Sequence, residues 1–273
     1  MVYRLVLLQR SFVEMNEIFE LSKFLYQTSF AIIVMNQFQN YITNIYQKNY
    51  VLLQEKTVER KIQLSDVLSS ISLVVPTNYK WLNRSDWVGL WSKKVDYFEY
   101  QKPYIQHKYP ILYETLDYYI GLAENAISYV REIISTPQNI EKLTVARRRV
   151  MVDMNSSEFF SPLNIVLDYS ARDLAEYLKS AFFADYDVEK IVGEMFQHFS
   201  YQQVNYGLLM GRLLFPSFYF DPYEQIVNGV LPEKVIYTIL KKSEDYEYFL
   251  QFIYQKIHQV SQIPRIDWLE HRR

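Results

Sequence analysis

Apolar residues recur with two different periods, which divide the chain into a short β-rich start and a long helical remainder. Residues 2–8 alternate weakly between apolar and polar side chains, and this predicts a strand. Ser11 and Glu14 have the spacing of a capping box, and apolar residues recur on one helical face behind them, so residues 11–27 are predicted to form a helix. Turn-type residues separate the next three β-rich runs, which predict a meander at 30–35, 38–46 and 50–54.

After Thr57 the apolar positions follow the period of a helix almost without interruption. Ser85 and Asp86 ahead of Trp87, and Pro110 at the start of a long apolar pattern, are typical helix beginnings. The one short strand predicted in this half is 165–167. The predicted helices cover 59–72, 110–136, 171–184, 187–199, 201–215, 232–242 and 244–260, and a further helix begins at Ser85.

This order of elements predicts an α+β protein with a partial β-rich lobe at residues 1–57 and a helical lobe at residues 58–273. Hydrophobic residues make up 49% of the chain, enough for a sizeable core. The net charge of −2 gives no reason to expect nucleic acid as a partner, and the lack of cysteine excludes disulfides and thiolate metal ligands. Because no apolar run approaches the ~18 residues of a membrane helix, we expect an intracellular protein without membrane insertion.

The candidate chemistry is centred on residues 163–178, LNIVLDYSARDLAEYL. An apolar run that reads as a buried strand ends there at Asp168, and the chain turns at Ser170 into a helix. A carboxylate at the end of a buried strand can hold a metal ion or a reacting group. The structural alternative is that Asp168 caps local backbone N–H groups.

The densest basic cluster is Arg147, Arg148 and Arg149. Bidentate guanidinium contacts suit phosphate, so a phosphate site is one interpretation. The other is a solvated turn in which the three side chains point in different directions. The four histidines are far apart in the sequence, and none has a metal-binding spacing.

Several motifs resemble the kinase-like proteins of bacterial spore coats, the CotS family, and in particular its YutH-type branch. The most specific is S-x-R-D-L-A-E at 170–176. These proteins are similar in fold to aminoglycoside phosphotransferases and choline kinases, so the resemblance implies a two-lobed, protein-kinase-like α+β fold with a truncated N-lobe. The other motifs are YVLLQ at 50–54, YYIGLAENAI at 118–127, LDYSARDLAEYL at 167–178 and GRLLFPSFYF at 211–220.

The resemblance also implies a degraded catalytic loop. In active relatives the motif H-G-D-x-x-x-x-N supplies the base and a metal ligand, but the matching stretch here has Arg147 for the histidine, Arg149 for the aspartate and Met154 for the asparagine. A guanidinium stays protonated and cannot accept a proton. Asp168 matches the metal-binding aspartate of the following motif, and Ser170 stands where a second acidic ligand would be.

On the same resemblance, the Gly-rich hairpin and the strand with the phosphate-holding lysine would lie before Met1, unless Arg4 or Arg10 substitutes for the lysine. Glu14 or Glu17 would be the helix-borne glutamate. This raises the hypothesis that the natural protein has additional N-terminal residues.

Together these features predict a catalytically inactive kinase-like protein, a pseudokinase. It would be associated with sporulation or the spore coat, need no cofactor, and act as a binding or scaffold protein for coat or other proteins. Arg172 and Asp173 would be structural, because a carboxylate in the first helical turn is favoured by the helix dipole and would tie the helix to the loops beneath the active site.

Two alternatives remain open. In the first, the protein is an ATP-dependent phosphotransferase acting on a small molecule or a protein, with Asp153 as base, Asp168 as Mg²⁺ ligand and an arginine of 147–149 as phosphate clamp. That enzyme would use Mg-ATP. In the second, the protein is a helical binding module with no nucleotide site, and this would be favoured if residues 1–57 proved to be helical.

Overall fold

The computed structural model describes residues 2–75, 79–135, 142–198 and 205–270. The chain divides into two compact units. Met1–Ser85 and Leu143–Asp168 form the first, here named the β unit, and Asp86–Lys142 and Tyr169–Arg273 form the second, here named the helical unit. The proposed lobe boundary between residues 57 and 58 stays a prediction.

The main sheet of the β unit confirms the predicted β-α-β-β-β order. Strand β1 (Val2–Leu7) pairs antiparallel with β4 (Lys48–Glu55), which also pairs with β2 (Ile32–Val34) and β3 (Thr43–Ile45). Helix α1 (Phe12–Phe24) lies between β1 and β2 in the chain and begins with the predicted capping box of Ser11 and Glu14. Residues 2–57 therefore contain four strands besides helix α1, so the condition that would favour the helical-module alternative is not met.

A second, two-stranded sheet belongs to the same unit. Strands β5 (Thr144–Arg147) and β6 (Ile165–Asp168) form an antiparallel ribbon, and every one of their residues is buried. The strand at 165–167 was predicted from its apolar run. Strand β5 was not, because its sequence TVAR is short and ends in a charged residue whose burial the local pattern does not indicate. Two short helices complete the unit, α2 (Leu64–Ile71) and α5 (Ser156–Phe159).

Helices make up the described part of the helical unit. Helix α9 (Ser217–Val227) was not predicted, because Pro216 directly precedes it and Pro222 lies inside it. Pro216 occupies the N-cap position, and Pro222 is tolerated within the helix. Residues 136, 199 and 201–204 of the predicted helices lie outside the described residues. The helices are α3 (Trp87–Ile105), α4 (Pro110–Ser135), α6 (Ala171–Phe183), α7 (Val188–His198), α8 (Tyr206–Leu214), α9 (Ser217–Val227), α10 (Ile236–Leu240), α11 (Ser243–His258) and α12 (Asp267–Glu270).

Close packing of α4 against α8 has a visible cause in the sequence. Gly207 and Gly211 lie one turn apart on α8, and a Cβ atom at either position would fall within 3.0 Å of Ile133 or Val130 of α4. Only glycine allows the two helices to approach this closely. Within the described ranges, no helix combines the length and the apolar character needed to cross a bilayer.

Candidate functional site

The register of the β5–β6 ribbon separates the two groups of candidate catalytic residues. Thr144 lies opposite Asp168, and Arg147 lies opposite Ile165. With a rise of about 3.3 Å per residue, Arg147 and Asp168 are roughly 10 Å apart along the strands. The chain that continues into Arg148 and Arg149 therefore leaves the ribbon at the end away from Asp168.

Asp168 is the last residue of β6, and none of its surface is exposed. Its main-chain carbonyl accepts a hydrogen bond from the Thr144 hydroxyl at 3.3 Å. Helix α6 begins directly after the ribbon, and its N-cap position is occupied by Ser170. Ser170 therefore occupies the N-cap position, and the interpretation that Asp168 caps local backbone N–H groups stays a prediction.

Arg147 is completely buried, so the expectation of a solvated turn fails for this residue. Its guanidinium carbon lies 3.8 Å from the ring centroid of Phe159 and 4.8 Å from that of Phe30. Its Nε donates to the Phe159 carbonyl at 3.1 Å, and its Nη1 donates to the Val145 carbonyl at 3.4 Å. These contacts fix the side chain inside the β unit and make it a core residue, not a phosphate ligand.

Arg148 and Arg149 have exposed side chains, as expected for a turn. Asn164 holds their backbone: the Arg148 N–H donates to the Asn164 carbonyl at 2.8 Å, and the Asn164 amide donates to the Arg149 carbonyl at 3.4 Å. The turn is thereby fixed beside the start of β6, with both arginine side chains at the surface.

The residues that follow the arginines are divided between core and surface. Met154, at the position of the metal-binding asparagine, is a buried core side chain. Its carbonyl accepts a hydrogen bond from the Ile62 N–H at 3.0 Å. Asp153 is exposed, and its main-chain carbonyl accepts a bond from Lys61 Nζ at 2.6 Å. The backbone of both residues thus joins this loop to residues 61–62.

A kinase-type Mg²⁺ site needs several oxygen ligands, usually including carboxylates. Among the described residues, no group of three or more histidine, aspartate or glutamate side chains is placed to hold a metal ion. The second acidic position is Ser170, and the asparagine position is Met154. The donor set present does not fit such a site.

Two of the candidate residues from the sequence, Arg10 and Glu14, form an ion pair in the structure. Arg10 Nη1 and Arg84 Nη2 each lie 3.1 Å from Glu14 Oε1, so one carboxylate of α1 pairs with two guanidinium groups. Arg10 also donates from Nε to the Leu163 carbonyl at 2.9 Å and from Nη2 to the Ile165 carbonyl. It therefore clamps the start of α1 onto the ribbon.

The pKa values of Arg10 and Glu14 in this cluster are both shifted from their usual values. Burial lowers the pKa of Arg10 to about 10, the nearby Arg148 guanidinium contributes to that lowering, and Glu14 opposes both. Burial alone would raise the pKa of Glu14, but hydrogen bonds from the Ser11 N–H and from Arg10 outweigh it and hold that pKa below its usual range. Sequence spacing could not reveal the cluster, because Arg84 lies far from Glu14 along the chain.

Arg4 and Glu17, the other candidates near the N-terminus, have structural contacts. Arg4 Nε donates to Glu55 across the β1–β4 pair at 2.8 Å. Glu17 Oε2 accepts from the N–H groups of Trp81 and Leu82, each at 2.9 Å. Glu17 thereby satisfies two backbone donors of a loop.

Arg172 and Asp173 lie in the first turn of α6, as predicted. Asp173 is buried, with 2% of its surface exposed, and the Arg172 N–H donates to the Tyr169 carbonyl at 3.0 Å. Burial alone would raise the pKa of the Glu176 carboxyl group, whereas the positive charge of Arg172 helps to lower that pKa. The structural role of both residues stays a prediction.

An ionic cluster in the helical unit was missed by the sequence analysis. Glu176 Oε1 lies 3.0 Å from Lys179 Nζ and 2.7 Å from Arg212 Nε, and Lys179 also donates to the Ser217 hydroxyl at 2.8 Å. Burial lowers the pKa of Lys179 to about 8, although Glu176 opposes this shift. Glu176 and Lys179 are three residues apart on a helix, a spacing that is typical of a solvated face, and this concealed the burial of Lys179.

Comparisons with known proteins agree with this architecture. The family described as "Spore coat putative kinase YutH" matches residues 2–253. The endospore coat-associated protein YutH of Bacillus subtilis (strain 168) is 30% identical over 207 residues, which are 67% of this chain and 61% of that protein. The chain thus spans less than two thirds of the length of this relative.

A solved structure extends the similarity to the fold. The aminoglycoside phosphotransferase of Alicyclobacillus acidocaldarius superposes with a TM-score of 0.66 over 94% of this chain and 87% of that protein, at 13% sequence identity. This confirms the predicted α+β, aminoglycoside phosphotransferase-like fold. The family match covers most of the chain, and the protein therefore belongs to the YutH family of kinase-like spore coat proteins.

Proposed function

We propose that this protein is a non-catalytic member of its family, a pseudokinase that acts in the spore coat by binding other coat proteins. The observation that carries the proposal is the register of the β5–β6 ribbon, in which Arg147 and Asp168 occupy opposite ends. Phosphoryl transfer depends on holding the base, the metal ions and the phosphates together in one small site. A ribbon that separates the two motifs argues against that arrangement.

The side chains give further support. Arg149 is an exposed cation at the position of the catalytic base, and it cannot take up a proton. Met154 contributes a thioether to the core where an active relative has a metal-binding amide. With Ser170 in place of the second carboxylate, the donor set favours a protein that works without Mg-ATP.

The coat association is extended to this chain from the family description and from the name of its Bacillus subtilis relative. One surface of the helical unit suits a protein partner. Tyr97, Tyr100 and Tyr104 lie at helical spacing on α3 and are 51%, 68% and 71% exposed. Exposed tyrosines are enriched at protein interfaces, because they offer a large ring and a polar hydroxyl together.

Titration with Mg-ATP tests the non-catalytic part of the proposal. Isothermal calorimetry of the purified chain should give no heat of binding up to millimolar nucleotide, and a phosphate-release assay should show no turnover. Asp168→Asn serves as the matched variant, and Asp96→Asn, which changes an exposed carboxylate of α3, serves as its control. Saturable binding and turnover that vanish in Asp168→Asn, with an unchanged unfolding midpoint, would overturn the proposal and favour the phosphotransferase alternative.

Imaging tests the coat-binding part. A fluorescent fusion of the chain, produced in sporulating Bacillus subtilis, should collect at the periphery of the spore, and Asp168→Asn should leave this distribution unchanged. Replacing Tyr100 and Tyr104 together by alanine should make the signal diffuse, whereas Tyr26→Ala, an exposed tyrosine of the β unit, should not. A diffuse signal from the unchanged chain would contradict a role in the coat.

A further inference from the structure

A groove on the surface of the β unit is lined by uncharged side chains. It has a volume of about 510 Å³, which is within the usual range for small-ligand sites. Four carboxamide side chains, two aromatic rings and one aliphatic side chain line it, and none of these seven carries a formal charge. They are Phe12, Gln39, Asn40, Tyr41, Ile42, Asn44 and Asn49.

The chemistry of this lining points to an uncharged, hydroxyl-rich ligand. Each carboxamide offers both donors and an acceptor, and so it can match a hydroxyl group, which also donates and accepts. No cation is present in the lining to hold a phosphate or a carboxylate. Aromatic rings add a flat surface whose negative face attracts the polarised C–H groups of a sugar ring.

Two of the amides are held facing each other by the sheet. Asn44 of β3 lies opposite Asn49 of β4, and Asn44 Nδ2 donates to Asn49 Oδ1 at 3.0 Å. This single bond leaves Asn44 Oδ1 and Asn49 Nδ2 with hydrogen-bonding capacity as far as the described residues go. The two atoms form an acceptor and donor pair on a rigid support, which suits two neighbouring hydroxyl groups.

The loop that brings Gln39 and Asn40 to the groove is fixed by Asn36. The Oδ1 of Asn36 accepts from the N–H groups of Phe38 at 2.9 Å and of Asn40 at 3.1 Å, and its Nδ2 donates to the Ile42 carbonyl at 3.3 Å. Gln39 adopts a φ of 58°, a left-handed conformation that is unfavourable for a residue with a side chain. A preorganised loop with local strain is a frequent property of binding sites.

The two aromatic rings of the lining, those of Phe12 and Tyr41, offer flat surfaces on which a ligand can stack. Tyr41 is immobilised by stacking on Phe19, with ring centroids 4.8 Å apart, and by a hydrogen bond from its hydroxyl to Asn16 Oδ1. Phe12, in the first turn of α1, leaves 62% of its surface exposed at the groove.

The hairpin between Asn44 and Asn49 gives an independent indication. It turns through Tyr46 and Gln47, both with positive φ angles of 48° and 63°, where asparagine and glycine are strongly preferred. Tyr46 is 96% exposed. Neither packing nor turn geometry favours a tyrosine there, and the turn lies two residues from Asn44 and from Asn49 of the groove lining.

From these observations we infer that the groove binds a neutral saccharide, with Asn44 and Asn49 contacting hydroxyl groups and Phe12 stacking against a sugar ring. This inference is independent of whether the ribbon is catalytic. Its ligand would be a glycan unit without phosphate or carboxylate groups.

Saturation-transfer NMR and calorimetry with chitotriose, maltotriose and cellotriose test the inference, with adenosine as a stacking ligand of another class. At least one trisaccharide should bind at up to 10 mM, and Phe12→Ala and Asn44→Ala should each weaken its affinity at least tenfold. Tyr26→Ala, an exposed aromatic of the same unit outside the groove, should leave the affinity unchanged. Unfolding midpoints would verify that all three variants are folded.

The inference would be overturned if no trisaccharide bound at 10 mM, or if binding survived both groove substitutions. Binding of adenosine but of no sugar, with the same sensitivity to Phe12→Ala, would overturn it equally, because the groove would then recognise a nucleobase.

Discussion

Both units of this protein contain a buried arginine with aromatic neighbours, Arg147 in the β unit and Arg212 in the helical unit, and these two are stabilised in different ways. Arg147 in the β unit lies between the rings of Phe159 and Phe30 and donates to main-chain carbonyls. Arg212 in the helical unit pairs with Glu176, and its guanidinium carbon lies 5.2 Å from the ring of Trp87 and 5.5 Å from that of Trp91.

The difference shows which property of the side chain each buried arginine site depends on. Rings and carbonyls stabilise Arg147 through its flat shape and its donors, so its site depends on arginine itself. The site of Arg212 depends on a balance of charges, because one carboxylate serves two cations, Arg212 and Lys179. Substitutions can separate these two kinds of dependence.

The largest effect on the free energy of unfolding is expected for substitution of Arg147. Arg147→Ala should lower the free energy of unfolding by about 4 kcal/mol, because it removes a large buried side chain and leaves carbonyls without their donor. Urea denaturation would measure the change. Arg147→Lys should recover less than half of the loss, since an ammonium group has neither the flat face nor the fork of donors. Full recovery by lysine would show that only the charge matters.

Glu176→Gln should have the next largest effect. It leaves Lys179 and Arg212 buried without their shared carboxylate, and breaking a buried ion pair in this way should cost about 3 kcal/mol. Adding Lys179→Met to Glu176→Gln should restore part of the stability, because one of the two unpaired cations is removed. A double variant that is less stable than the single one would contradict this charge balance.

The pH dependence of the free energy of unfolding should reveal the titration of Lys179. Its pKa in the folded protein is about 8, below the 10.5 of an exposed lysine, so the unfolded chain binds more protons between these values. Lys179 should therefore make stability rise with pH from about 8 towards 10. Chemical denaturation across this range should show a steeper rise for the natural protein than for Lys179→Met. Equal slopes would mean that Lys179 titrates normally.

The smallest effect concerns Asp173, one turn before Glu176 on α6. Asp173→Ala should lower the free energy of unfolding by about 1 kcal/mol or more, because a carboxylate in the first turn interacts with the N–H groups there. The exposed Asp96 of α3 provides a control, and Asp96→Ala should change stability by less than about 0.5 kcal/mol. Thermal unfolding of both variants would measure the difference. An unchanged midpoint for Asp173→Ala would refute the predicted structural role.

Much of the fold could be predicted because local patterns determine it. The capping box at Ser11, the apolar run ending at Asp168 and the helix beginning at Pro110 each depend on residues close together in the sequence. Strand β5 and helix α9 could not be predicted in this way. A charged residue ends β5 and Pro222 lies inside α9, so tertiary packing overrides the local preference in both.

The candidate site was less predictable than the fold. Sequence spacing identified Arg147 to Arg149 as a cluster, but it could not show that the first is a core residue and the other two are exposed. The Arg10, Glu14 and Arg84 cluster and the amide groove depend on segments that only the folded chain brings together. Such contacts between distant segments leave no trace in a local pattern.

The turn of the hairpin at Tyr46 and Gln47 has a consequence for laboratory evolution. Asparagine followed by glycine fits two successive left-handed positions best, yet this chain has tyrosine and glutamine there. A library randomised at both positions and selected for heat resistance should therefore return the Asn-Gly dipeptide.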